Sequence, residues 1–112
     1  MDRAGILSVM SAAVYHNTFT GRTHLAVQYQ SSADYAGLAA KLEGQDFPYI
    51  IDIAVGEKAG VMYITIFHGE GKETLTVHKG NYVLLSNTSD GLILPSVYTQ
   101  DEFESIFERV RS

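Results

Sequence analysis

Residues 80–107 read as a hairpin handed directly to a helix, and that combination limits what the rest of the chain can become. Gly80-Asn81 opens a turn, Tyr82-Val83-Leu84-Leu85 forms an apolar run, Ser89-Asp90-Gly91 turns again, and Leu92-Ile93-Leu94 makes a second run ahead of Pro95. Thr99-Gln100-Asp101-Glu102 then fits a capping box, the Thr99 hydroxyl accepting the amide three residues on while Glu102 reaches back. Phe103, Ile106, Phe107 and Val110 share one helical face. Asp101, Glu102 and Glu104 fall in the positive first turn, and Arg109 and Arg111 in the negative last turn. A helix with such a stripe must bury it on the sheet, which predicts an α+β domain closed by its terminal helix.

The remaining segments supply partners for that unit. In residues 2–15, Ile6, Val9, Met10, Ala13 and Val14 recur at helical spacing behind a possible Asp2 cap, so a short helix is expected there, with a strand as the alternative. Residues 17–22 are rich in Asn, Thr and Gly and read as a turn. Leu25, Val27 and Tyr29 then alternate with His24, Ala26 and Gln28, a strand with one buried face that leaves His24 on the wetter side. Ser31-Ser32 offers a cap, and Tyr35, Leu38, Ala39 and Leu42 follow at i, i+3, i+4 and i+7 up to a stop at Gly44. After Phe47-Pro48, residues 49–55 read as a strand, 56–60 as a loop, and 61–67 as a strand apolar on both faces, therefore central. Residues 73–78 alternate again, with Leu75 and Val77 inward. The expectation is one domain over 1–112: an antiparallel meander of about five or six strands packed with two or three helices.

At 112 residues the chain can bury one core but cannot hold a catalytic domain beside a separate binding domain. The absence of cysteine excludes disulfides, thiolate metal sites and cysteine nucleophiles. No apolar run approaches the roughly 20 residues of a membrane span, and the first residues lack the basic and apolar regions of a signal peptide. A net charge of −5 with scattered Lys and Arg argues against direct nucleic-acid binding and is compatible with a basic partner surface.

Four histidines invite a metal or acid–base reading, but His16, His24, His68 and His78 lack ligand spacing and read as surface or hydrogen-bonded residues. Gly69-Glu70-Gly71-Lys72 resembles a phosphate loop only in composition; it opens onto a strand rather than a helix, which makes it a hairpin turn. Ser86, Ser89 and Asp90 have no nucleophile-elbow context. No catalytic, metal or cofactor constellation emerges, and the chain is expected to be non-enzymatic. Asp52, inside an apolar strand, reads chiefly as an outward or edge charge, and otherwise as a pocket carboxylate against Lys79 or a tyrosine. Tyr63 and Phe67 lie opposite Met62, Ile64 and Ile66, so either a second layer covers them or they form an oligomer or partner interface. Both possibilities stay open. Tyr63, Phe67, Asp52, Lys72 and Lys79 are therefore the candidate binding residues.

The 80–107 stretch resembles the C-terminal part of a family of small, uncharacterised bacteriophage proteins. The residues that carry the likeness are Gly80, Asn81, Tyr82, Val83 to Leu85, Gly91, Asp101 to Phe103 and Phe107-Glu108, preceded by Ile64-Thr65-Ile66 and the Gly69 to Gly71 turn. Asn81 stands where the family usually has aspartate, Tyr82 where tryptophan is frequent, and Leu92-Ile93-Leu94-Pro95 where Tyr-Pro is usual. The resemblance implies a phage accessory protein; together with the acidic charge and the missing catalytic constellation it favours one that acts in the host cytoplasm by binding a host protein, with inhibition of host defence as one form. The alternatives are a nucleotide- or small-molecule-sequestering protein, in which tyrosines stack bases and Lys72, Lys79 or Arg22 meet phosphates, and a virion assembly component that forms a homo-oligomer.

Overall fold

The computed structural model describes residues 13–43, 51–87 and 91–110. Along these residues run β1 (Ala13–Asn17), β2 (Thr23–Gln28), α1 (Ser32–Glu43), β3 (Ile51–Lys58), β4 (Val61–His68), β5 (Gly71–Val77), β6 (Tyr82–Asn87), β7 (Gly91–Tyr98), α2 (Gln100–Ile106) and β8 (Phe107–Arg109). The strands form two antiparallel sheets, one ordered β7-β6-β2-β1-β8 and the other β3-β4-β5. The fold is α+β, a strand-rich meander packed against helices.

Strands outnumber the five or six read from sequence, because two segments expected as helix are extended. Ala13–Asn17 is β1, paired with β2 from Ala13↔Ala26 to His16↔Thr23. Residues 2–12 of that expected helix lie outside the described residues. The terminal helix stops at Ile106, where Phe107 turns extended at φ −113 and ψ 144 and pairs with Asn17. Arg109 is thereby opposite Tyr15 in a ladder, not in a helical last turn. The ladder decides both cases, since a bare β1 edge would leave its amides and carbonyls without strand partners.

Two apolar clusters lie on opposite faces of β2 and β6. On one face Val27, Tyr29, Val83 and Leu85 meet Met62, Ile64 and Ile66 of β4, Val77 of β5 and Leu38 and Leu42 of α1. On the other face Ala26, Tyr82 and Leu84 meet Phe103 and Phe107. The five-stranded sheet is thus the middle layer of three. That geometry overturns the wet-side placement of His24, which is 8% exposed with its ring edge-on to Phe107 at 5.7 Å. Alternation from Leu25 does put His24 on the other face, but the Phe103 and Phe107 side chains cover that face as well.

Phe103 centres the second cluster, stacked on Tyr82 at 4.0 Å and on Phe107 at 4.5 Å, with Tyr15 and Tyr98 edge-on. The capping box forms as read: Thr99 Oγ1 accepts from the Glu102 amide at 3.2 Å, and Glu102 Oε1 accepts from the Thr99 amide at 3.0 Å. These bonds, with the Thr99 hydroxyl, hold the Glu102 carboxyl below the usual carboxylate range. At the start of α1, Ser31 O accepts from the Asp34 and Tyr35 amides while the buried Asp34 carboxylate accepts from the Gln30 and Ser31 amides at 2.9 and 3.0 Å. The expected stop at Gly44 lies outside the described residues.

Candidate functional site

Two tight turns set the register of the three-stranded sheet. Ala59 and Gly60 carry φ of 55° and 78°, the double left-handed pattern of a type I′ hairpin, so β3 runs to Lys58 and the loop expected over 56–60 shrinks to two residues. At the next turn only Gly69 has positive φ, 59°, and His68 pairs with Gly71. With both turns this short, side chains on the three strands align in straight rows. Asp52, Phe67 and Lys72 make one row, Ala54, Thr65 and Thr74 the next, and Gly56, Tyr63 and Thr76 a third.

All three rows face away from the core. Their even-numbered β4 neighbours Met62, Ile64 and Ile66 are buried, whereas Tyr63 and Phe67 are 38% and 42% exposed. Asp52, Ala54, Gly56, Lys72, Thr74 and Thr76 are exposed too. Neither described helix covers this face, because α1 packs in the first cluster and α2 adjoins the second. Of the two fates open to these aromatics, burial under a second layer is therefore not supplied by α1 or α2. Phe67 is left between a carboxylate on one strand and an ammonium on the other.

The β3 margin is occupied by α1. The Val55 amide donates to Glu43 Oε2 at 2.9 Å, and the Tyr35 hydroxyl reaches Val55 O at 3.4 Å. Glu57 accepts from the Tyr29 hydroxyl and from Ser32 Oγ. Burial pushes the Tyr29 phenol up to about 12, with the Glu57 carboxylate adding to it. Tyr82 is raised to about 12 as well, by burial first and then by Tyr15 and Glu104. These two phenols stay protonated through the neutral range and act as donors in the framework.

The structure brings Asp52, Phe67, Lys72 and Tyr63 together on one face and leaves Lys79 apart. Lys72 and Lys79 flank β5 from opposite ends, about 20 Å apart by strand rise. Lys79 borders an open polar recess of about 940 Å³ shared with Tyr15, Gln28, Asp34 and Arg109. Arg22 immediately precedes β2, at the end of that strand away from Gln28, which lines the recess with Lys79. The histidines do not gather either: His68 and His78 mark opposite ends of the β4–β5 hairpin. Among the described residues no group of three or more His, Asp or Glu is arranged to hold a metal ion. Among them, too, no helix is long and apolar enough to cross a membrane.

Sequence parity identified Tyr63 and Phe67 as a pair but missed Ala54 and Gly56, the small residues beside them. A short-turn reading of Ala59-Gly60 would have found these, since it fixes which β3 residues flank each aromatic. Comparison with protein-family models, with curated proteins and with solved structures found no match to this chain.

Proposed function

We propose that this protein is a non-catalytic accessory protein that works by binding another protein through the outer face of β3, β4 and β5. The observation that carries this reading is the exposure of Tyr63 and Phe67 on an antiparallel face flanked by Asp52 and Lys72. Exposed aromatics ringed by polar side chains are the usual composition of a protein-contact surface, where tyrosine and phenylalanine bury area at low entropic cost. With α1 hydrogen-bonded along β3, a partner meets the face rather than adding a strand at that margin. The resemblance to small bacteriophage proteins supports a host protein as partner, in the host cytoplasm, with inhibition of host defence as one consequence.

Gentle purification from a bacterial lysate followed by native mass spectrometry tests the proposal. The expected result is a heterocomplex with the wild-type chain that disappears when Tyr63→Ser and Phe67→Ser are combined. A chain that retains no protein, or a complex indifferent to both substitutions, would end this reading. The recess bearing Lys79 and Arg109 supports a second reading, a site for an anionic small molecule such as a nucleotide. An unchanged melting temperature across a nucleotide panel removes it.

A further inference from the structure

We infer that in the free protein the outer face of β3-β4-β5 is covered by a second copy of this chain, the two sheets stacked about a two-fold axis parallel to their strands. The inference rests on the reading of that face as a protein-contact surface and names its resting occupant. Rotation about such an axis keeps β4 over β4 and exchanges β3 with β5. Each row then meets its own reverse. Phe67 lies over Phe67 and Tyr63 over Tyr63, while Asp52 of each copy stands over Lys72 of the other.

Two independent features of the rows suit this arrangement. The first is charge. Asp52 and Lys72 bracket Phe67 from the outer strands, about 9–10 Å apart at the backbone within one copy by strand spacing, with the Phe67 position between them. Across a two-fold they form two equivalent opposite-charge contacts at the rim, with the aromatics between them. The second is size. The β3 side of the face carries Ala54 and Gly56, and the β5 side carries Thr74 and Thr76, so the exchange sets small residues against larger ones. A Cβ built on Gly56 would meet nothing within 4 Å, which leaves open space beside Tyr63 for Thr76 of the second copy.

The face measures about 14 Å by 26 Å from strand spacing and rise. That is smaller than the roughly 800 Å² per partner of a standard interface. The pair is therefore weak and reversible. Because host protein and second copy use the same residues, each excludes the other, and the host protein replaces the second copy as it binds.

Sedimentation equilibrium from micromolar to millimolar chain tests this, with circular dichroism confirming that each variant is folded. The wild type should pass from monomer to dimer. Asp52→Lys and Lys72→Asp should each weaken association about tenfold, because both rim contacts become repulsive. An equimolar mixture of the two variants should recover association as a heterodimer, and the double variant D52K/K72D should recover it alone. A wild type that stays monomeric overturns the inference, and so does a dimer whose mixed variants fail to recover. A monomer that still captures a host protein through Tyr63 and Phe67 would end the dimer alone; a dimer that captures nothing would end the host-binding reading alone.

Discussion

Phe103 concentrates more packing than any other single side chain in the second cluster. It is 1% exposed, stacked on two rings and touched edge-on by two more. Phe103→Ala should cost about 3–5 kcal/mol in a urea melt, since Tyr82 and Phe107 are anchored in strands and cannot collapse into the space. The buried phenols make a second prediction. Tyr29 and Tyr82 are raised to about 12, so the folded state holds protons that the unfolded chain loses near 10. Their contribution is fully present below pH 10 and is lost as pH rises toward 12. Stability should fall over that interval, and ultraviolet titration should show two phenols ionising late, together with unfolding.

Local signals at the level of single elements were the most legible. The capping box, the period-2 runs of β2 and β5, the apolar run of β6 and the 3.6-period stripe of α1 are each set by near neighbours, and each formed. Thr99→Ala should cost about 1 kcal/mol. The lowered Glu102 carboxyl stabilises α2 fully above the ordinary glutamate range, and that effect disappears as pH falls through the lowered value. Glu102→Gln should accordingly flatten the acid limb of the melting-temperature profile. The hairpin at Ala59-Gly60 was the costly omission, because a five-residue loop over 56–60 leaves the alignment of Asp52 with Phe67 and Lys72 undetermined. Ala59 holds a left-handed backbone that a Cβ disfavours. Ala59→Gly should raise stability by up to about 1 kcal/mol with the register unchanged.

One element that exists only through distant pairing escaped the sequence reading. Phe107–Arg109 carries helical spacing, yet it is extended because β1 lies beside it: Thr18 donates from its amide and hydroxyl to Ile106 O at 2.9 and 2.8 Å, and the Val110 amide to Val14 O at 2.9 Å. Ending the chain at Ile106 should strip Phe107 from its cluster and bare the β1 edge, giving a lower melting temperature and concentration-dependent aggregation. The layering has a further consequence for β2 and β6. A strand with one wet face is held in place by polarity, since a slip of one residue would turn its apolar set into water. These two strands have no wet face to object. What fixes them is size, with Ala26 under the aromatic cluster and Val27 and Tyr29 toward the other, and the break in pairing between Leu25 and Ala26, where Leu85 is passed over in the ladder. That irregularity is the ratchet tooth of the molecule: straightened out, it would let two cores trade residues without any side chain meeting solvent.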